Sequence, residues 1–234
     1  MKKEYLVLVA SLLLFLGVIG VPYIYDTLST ANNVSEVRVF VLDAEEGLKE
    51  ADVVKITNVE NTGFISFSAE AFPKSVEDAF VTHDLVAEIV ISNIYVVRVP
   101  RITSEFGGYM SYLLYEAKIL DIYKGEHLVN DMIYFISLGD VDKSKSTLYT
   151  YEGFPHLNIG EKAIVFANKV NPYPGDINSQ LLVKNFHDLY EMPLVGFKIE
   201  GDKLALLTPL SPGTEYVGMS VSQFEEEFLA SISR

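Results

Sequence analysis

Residues 109–138 read YMSYLLYEAKILDIYKGEHLVNDMIYFISL, and this stretch governs the fold that the sequence predicts. Over residues 116–123 polar and apolar side chains nearly alternate, which is typical of a β-strand with one buried face. The run ends at Lys124-Gly125, and a second β-rich run follows over residues 132–136. Gly125 supplies the positive φ that a tight reversal needs. The sequence therefore predicts one long β-hairpin.

Further strands are predicted on both sides of this hairpin. Residues 85–99 form the most β-branched segment of the chain, with a bulge expected near Ser92-Asn93 and an end at Pro100. The other predicted strands cover residues 37–42, 53–59, 64–68, 162–167, 181–186, 194–199 and 203–207. Residues 53–59 and 64–68 are expected to pair as a hairpin, whereas the polar residues 140–153 are expected to form a mobile or binding loop.

Two helices are predicted from capping patterns. Ser75-x-x-Asp78 is a variant capping box that opens a short helix. Ser220-x-x-Gln223 and Ser222-x-x-Glu225 are overlapping capping-box frames at the start of a helix over residues 221–232. Apolar side chains fall on one face of the second helix, at Val221, Phe224, Phe228, Leu229 and Ile232. This face indicates packing against the predicted barrel, and the alternative is a docking helix for another protein.

The N-terminal segment predicts a membrane anchor. Residues 5–25 contain no charged side chain, and as a helix they span roughly 30 Å, the thickness of a bilayer's hydrocarbon core. Lys2 and Lys3 favour a cytoplasmic N-terminus. A cleaved signal peptide with a small-residue site near Ala31 is the alternative, and both interpretations place the rest of the chain outside the cytoplasm. Residues 26–35 are then a tether.

Charge and cysteine content exclude several functions. The two lysines and two acidic residues of residues 1–34 sum to zero, so the remaining 200 residues carry the whole net charge of −14. An acidic surface repels phosphate backbones, so nucleic acid is not an expected partner. The chain has no cysteine, which excludes disulfides, an acylated cysteine, thiolate metal sites and a cysteine nucleophile.

The chemical motifs predict no cofactor and no metal site. None of the four histidines lies three or four residues from another, and neither a Gly-x-Ser-x-Gly elbow nor a glycine-rich phosphate loop is present. Asp140 and Asp142 have the spacing of calcium ligands, but an EF-type loop that begins at Asp140 needs glycine at its sixth position and glutamate at its twelfth, where Lys145 and Tyr151 stand. A dispersed metal or hydrolase site would draw on Asp140, Asp142 and His156.

Two smaller features have a functional and a structural interpretation. Four tyrosines could form an aromatic face for a protein, peptide or glycan, or could be half-buried residues of the sheet: Tyr109, Tyr112, Tyr149 and Tyr151. Asn33-Val34-Ser35 fits the N-glycosylation pattern, and the alternative is plain linker sequence.

Three segments resemble a known group of exported domains. DLVAEIV at residues 84–90, AKILDIYKG at 117–125 and LNIGEKAIVF at 157–166 are similar, in order and spacing, to strands of the OB-type barrel of the netrin/TIMP-like group and of related exported prokaryotic proteins. The resemblance implies a five-stranded barrel over residues 84–170 that commonly binds another protein and seldom catalyses. The group's metalloprotease inhibitors act through an N-terminal cysteine, which this chain lacks, so that activity is not expected here.

The sequence thus predicts a mainly β protein with an OB-like antiparallel barrel, flanking strands, a C-terminal helix and an N-terminal transmembrane helix. The expected segments are an anchor, a tether, a hairpin region, the barrel and a strand-plus-helix region, at residues 1–25, 26–35, 36–83, 84–170 and 171–234. The expected function is a membrane-anchored, extracytoplasmic, non-enzymatic interaction module for another envelope or membrane protein. The alternatives are an exported hydrolase or metal-dependent enzyme with a dispersed site, and a structural tether without a ligand.

Overall fold

A computed structural model describes residues 35–43, 46–64, 72–100, 108–172 and 176–232. The predicted membrane anchor over residues 5–25, the cleavage site near Ala31 and the acceptor residue Asn33 lie outside this part of the chain. Within it, no helix combines the length and the apolar character needed to cross a membrane.

The described part of the chain is mainly β, with eleven strands and three α-helices. The strands are β1 (Ser35–Asp43), β2 (Gly47–Ile56), β3 (Asn58–Phe64), β4 (Leu85–Pro100), β5 (Tyr109–Lys124), β6 (Met132–Asp142), β7 (Thr147–Glu152), β8 (Lys162–Ala167), β9 (Leu189–Glu191), β10 (Val195–Glu200) and β11 (Lys203–Leu206). The helices are α1 (Val76–Thr82), α2 (Ile177–Asn185) and α3 (Val221–Ile232), and a 3-10 turn covers Thr214–Tyr216.

The strands form one sheet with the hydrogen-bonded order β11-β10-β8-β4-β5-β6-β7-β3. Strand β1 joins β2 and β4, and β9 joins β6. Three of the pairings, β1 with β4, β3 with β7 and β6 with β9, are parallel. The sheet is not closed, so the predicted closed antiparallel barrel is wrong. Strand β8 has β4 on one edge and β10 on the other, and the three-residue β9 meets the chain after β8 only through an isolated bridge between Lys169 and Tyr190.

The predicted central hairpin is confirmed. Strands β5 and β6 pair antiparallel, from Tyr112 opposite Leu138 to Lys118 opposite Met132. Gly125 has a φ of 122°, as the reversal requires. The connection between the two strands is longer than a tight turn, and Asn130 supplies a second positive φ of 78°.

Strand β4 is buried on both faces, and its predicted bulge is confirmed. The register against β5 shifts between Ile91 and Asn93. Before the shift, alternate residues such as Ile91 face the main core, and after it Ile94 and Val96 face that core. A bulge adds one residue and therefore reverses which face each later side chain occupies. Asn93 and Tyr95 consequently lie on the opposite face of the sheet.

The strand predicted over residues 181–186 is wrong, because α2 occupies this segment. Asp176 is the N-cap, and its side chain accepts hydrogen bonds from the backbone N–H groups of Asn178 and Ser179 at 3.1 and 3.4 Å. Such a cap satisfies donors that the first helical turn leaves unpaired. The apolar run that suggested a strand supplies the buried side of a short helix.

The predicted hairpin over residues 53–68 and the predicted loop over residues 140–153 are also wrong, because these segments pair with strands that the sequence did not indicate. Residues 58–64 form a strand of their own, which pairs parallel with β7 instead of closing a hairpin, and residues 65–68 lie outside the described part of the chain. Residues 140–153 are not a loop, because β6 extends to Asp142 and β7 begins at Thr147 after a short turn. Strands β6 and β7 pair antiparallel across that turn.

The helices cover two parts of the outer face of the sheet. Helices α1 and α3 pack on β8, β10 and β11, and the predicted helix over residues 221–232 is confirmed. Tyr123 Oη donates to Glu225 Oε1 of α3 at 2.7 Å, and Lys124 Nζ donates to the carbonyl oxygens of Phe80 and Val81 at the end of α1 at 2.7 and 2.9 Å. An ammonium group at a helix C-terminus is favoured by the helix dipole. Helix α2 covers β1, β4 and β5 farther along the sheet.

Candidate functional site

A cleft of about 340 Å³ lies between the N-terminal half of α2, the outer face of β5 and β6, and residues 191–194. Its walls are mostly apolar, and they include Tyr112, Ile136, Leu182, Met192 and Leu194. The volume falls within the range of pockets that hold a small molecule or a few side chains of a partner.

The wall formed by residues 191–194 is held in place by hydrogen bonds. The backbone N–H of Glu191 donates to the carbonyl of Asn168 at 2.9 Å, and that of Met192 donates to the carbonyl of Ile136 at 3.0 Å. The carbonyl of Leu194 accepts from the hydroxyl groups of Thr208 and Ser211 at 2.8 and 3.1 Å. Because both ends of this wall are fixed, the cleft is formed before any ligand arrives.

Glu191 is the unusual polar residue of this cleft. Among the described residues, its carboxylate has no hydrogen-bond or ion-pair partner, although it lines both this cleft and a second cavity of about 150 Å³ beside Phe166. Desolvation by the apolar walls raises the pKa of Glu191 above its ordinary value. Glu191 remains exposed to solvent, so this desolvation is partial. A partly desolvated carboxylate without a partner gains from a ligand that brings a positive charge or a hydrogen-bond donor.

Asp140 and Asp142 lie together in a different cleft of about 330 Å³. Asp140 Oδ1 accepts from Arg98 Nη2 at 2.8 Å, and Asp142 Oδ1 accepts from Ser144 Oγ at 2.6 Å. The pKa of Asp142 is lowered, chiefly by the hydrogen bond from the Ser144 side chain. Within the described ranges, no three histidine or acidic side chains are arranged to hold a metal ion.

His156 is not among the residues that line that charged cleft, and its side chain is partly buried beside Tyr115. Its Nδ1 lies 3.2 Å from Tyr115 Oη, and its Nε2 lies 3.2 Å from Asn158 Oδ1. Burial lowers the pKa of His156 and raises that of Tyr115, whose side chain is 1% exposed. Both groups are therefore neutral at pH 7, and this arrangement suits a structural hydrogen bond better than contact with a substrate.

The four predicted tyrosines are on two strands, and two of them, Tyr112 and Tyr149, line clefts. Tyr109 and Tyr112 are on β5, where Tyr109 is exposed and Tyr112 lines the cleft beside α2. Tyr149 and Tyr151 are on β7, where Tyr149 Oη lies 3.1 Å from Lys145 Nζ and lines the charged cleft. Of the four, Tyr112 is the one that borders the cleft of Glu191.

Sequence reasoning missed α2, and with it the cleft. The available signal was the tetrapeptide Asp176-Ile177-Asn178-Ser179 before an apolar run, which is an N-cap pattern. Glu191 and Met192 carry no local signal, since their importance depends on neighbours that are distant in the chain. Neither the comparison with known protein families nor the search of the curated proteins gave a match to this chain.

Proposed function

We propose that this chain is a membrane-anchored, extracytoplasmic interaction module, and that the cleft beside α2 binds a short segment of another envelope or membrane protein. The observation that carries the proposal is Glu191, a carboxylate without a partner among the described residues, in a mostly apolar cleft that Asp176, Ser137 and Ser179 also line. The segment that fits this chemistry places an apolar side chain in the cleft and a lysine or arginine beside Glu191.

The charge of the whole chain supports a basic partner segment. The net charge of −14 creates a negative field that raises the association rate of positively charged partners. The apolar side chains Leu182, Met192 and Leu194 supply the hydrophobic contact, which accounts for most of the affinity at protein interfaces. The carboxylate then provides selectivity between partners.

Affinity capture from detergent extracts tests this interaction with the full chain as bait. The native chain should recover a reproducible membrane or envelope protein, and Glu191→Lys should reduce that recovery by about tenfold or more, because it reverses the charge at the cleft. Glu200→Lys is the matched control, since Glu200 is an exposed glutamate at the end of β10. Equal recovery by the two variants, or recovery of background proteins alone, would contradict the proposal.

The membrane anchor rests on the uncharged run of residues 5–25. We expect the chain to stay in the membrane fraction after an alkaline carbonate wash. External protease should digest the region after residue 35 in intact cells, because Lys2 and Lys3 favour a cytoplasmic N-terminus. A chain that is released by carbonate, or that resists protease until the cells are lysed, would refute this part of the proposal.

We also propose that β4, β5, β6, β8 and β9 are an incompletely closed variant of the OB-type arrangement found in the netrin/TIMP-like group. Support comes from the parallel pairing of β6 with β9 and from the antiparallel bridge between Lys169 and Tyr190. In such a variant, the N–H groups of Val170 and Glu191, which donate to Leu189 and Asn168, stay protected from hydrogen exchange. Exchange at the rate of free loops would argue against it.

A further inference from the structure

A smaller pocket, of about 180 Å³, lies at the opposite end of α2 from the cleft that Glu191 lines. Four aromatic rings and one carboxylate dominate its lining: Phe40, Tyr95, Tyr134, Phe186 and Glu116. The rings are packed in two edge-to-face pairs, Phe40 with Tyr95 at 5.6 Å between centroids and Tyr134 with Phe186 at 5.2 Å. Phe186 is the C-cap residue of α2, so the helix that forms the cleft also forms part of this pocket.

The sheet register brings the polar groups of the pocket together. Asn93 of β4, Glu116 of β5 and Tyr134 of β6 are directly opposite one another on three neighbouring strands. Tyr95 reaches the same face because the bulge between Ile91 and Asn93 reverses the alternation of β4. The pocket therefore depends on that irregularity as well as on the aromatic residues.

Three donors hold the Glu116 carboxylate in a fixed position. Tyr95 Oη donates to Oε2 at 3.0 Å, Tyr134 Oη donates to Oε1 at 3.2 Å, and Asn93 Nδ2 donates to Oε2. Burial, together with the nearby carboxylate, raises the pKa of Tyr95 to about 12 and also raises that of Tyr134. Both phenols are therefore protonated donors at neutral pH.

We propose that this pocket binds an alkylated ammonium group, of the kind found in choline or in a methylated lysine. Aromatic rings around a cation are the usual means by which proteins recognise quaternary ammonium groups, and the preset carboxylate of Glu116 neutralises the charge. Polar side chains hold that carboxylate already, so little reorganisation is needed on binding. The net charge of −14 favours cations over anions at this surface.

Arg38 is the charged residue that opposes such a ligand. It lies beside Tyr95 in the parallel pairing of β1 with β4, and it also lines the pocket. Its side chain is 60% exposed, and Nη1 lies 3.8 Å from Glu50 Oε2. The guanidinium group can therefore remain in solvent beside Glu50 while a smaller cation occupies the aromatic pocket, although its charge lowers the affinity.

Isothermal titration calorimetry of the full chain in detergent tests the proposal. Tetramethylammonium chloride is the probe, and sodium chloride at equal concentration is the reference. The native chain should show saturable binding, which Glu116→Gln weakens by about tenfold or more through loss of the charge. Arg38→Ala should tighten binding by about twofold or more, because a competing positive charge is removed. Glu60→Gln, at an exposed site on β3, is the control.

Further variants keep the test informative if Glu116→Gln affects folding, which thermal unfolding will reveal. Tyr134→Phe keeps the ring and should bind within about threefold of the native chain, whereas Tyr134→Ala removes the ring and should bind more weakly. A preference for choline or for trimethyllysine then identifies the source of the ammonium group. Absence of saturable binding in both the native chain and Arg38→Ala overturns the proposal, and so does undiminished binding in Glu116→Gln or in Tyr134→Ala.

Discussion

Helices α3 and α2 both lie on the sheet, yet they depend on their own sequences to different degrees. Helix α3 carries Phe224 and Phe228, which are 0% exposed and stack on each other with centroids 5.1 Å apart. Helix α2 is shorter, and Leu182 is its one fully buried side chain within Ile177–Asn185. The apolar periodicity of α3 is strong enough to predict its bounds, whereas α2 depends on the cap at Asp176 and on packing against the sheet.

The two helices also differ in role: the α3 side contributes mainly to the stability of the fold, and the α2 side carries the proposed binding sites. The α3 side of the sheet has a continuous aromatic cluster with Phe80 and Phe166, and the cavity beside Phe166 measures about 150 Å³. The α2 side has a cavity at each end of the helix. A short helix with little burial of its own covers the sheet incompletely, and both proposed sites occupy the gaps that it leaves.

The largest expected change in the free energy of unfolding comes from a substitution in α3. Phe228→Ala should lower the free energy of unfolding by about 3–5 kcal/mol, because it removes a fully buried ring from a packed aromatic cluster. Urea unfolding followed by circular dichroism measures this loss. Leu229→Ala is the control, since that neighbour is 41% exposed and should cost under about 1 kcal/mol. Similar losses for the two variants would remove the distinction between the two helices.

The second-largest expected change in the free energy of unfolding comes from a substitution in α2. Leu182→Ala should lower the free energy of unfolding by about 2–3 kcal/mol, and it should also weaken capture of the partner because Leu182 forms a wall of the cleft. Phe228→Ala, assayed at a temperature where it remains folded, should retain that capture. If Phe228→Ala abolishes capture while Leu182→Ala preserves it, the proposed separation of stability from binding is incorrect.

Substitutions of the two N-cap residues compare α2 and α3 through a smaller loss of stability and a local change in hydrogen exchange. Asp176→Ala and Ser220→Ala should each cost about 1 kcal/mol, since each removes a side chain that accepts hydrogen bonds from the first helical turn. Hydrogen exchange should accelerate throughout α2 in Asp176→Ala, but only in the first turn of α3 in Ser220→Ala, because Phe224 and Phe228 anchor the remainder of α3. Uniform acceleration in both helices would contradict this expectation.

The smallest effects concern the pH dependence of the free energy of unfolding, and they have opposite signs for His83 and Glu191. Burial lowers the pKa of His83, which packs edge-on against Phe166 at 6.2 Å between centroids, despite a hydrogen bond to the Ala79 carbonyl. The unfolded chain therefore binds more protons, and stability falls as the pH drops below about 6.5. The pKa of Glu191 is raised, so protonation of its carboxyl group stabilises the fold at low pH, and this stabilisation is lost as the pH rises through the folded pKa.

Two variants test these opposite pH dependences when the free energy of unfolding is measured across pH 4–8. His83→Gln should reduce the acid-induced loss of stability, because it removes a group whose pKa is lower in the folded chain, while His156 continues to contribute in the same direction. Glu191→Gln should stabilise the chain at pH 7 by under about 0.5 kcal/mol, with the gain shrinking toward pH 4. A loss of stability at pH 7 in Glu191→Gln would show that the carboxylate has a partner in solution.

Local signals in the sequence were sufficient for several elements. The alternation and Gly125 predict the central hairpin, the capping pattern at Ser220 predicts the start of α3, and the β-branched run with Ser92-Asn93 predicts β4 and its bulge. Each signal lies within a few residues of the element that it predicts. Backbone preferences and capping bonds act over that same distance, so sequence alone determines these elements.

The order of the strands, the identity of α2 and both pockets were decided only by tertiary structure. The parallel pairing of β3 with β7 joins Asn58 to Thr147, and the aromatic pocket joins Phe40 to Phe186 across most of the chain. Local patterns do not encode which distant segments meet, because that choice depends on how all the apolar faces are buried together. Glu191 illustrates the limit, since the sequence shows a glutamate and only its distant apolar neighbours partly desolvate the exposed carboxylate and raise its pKa.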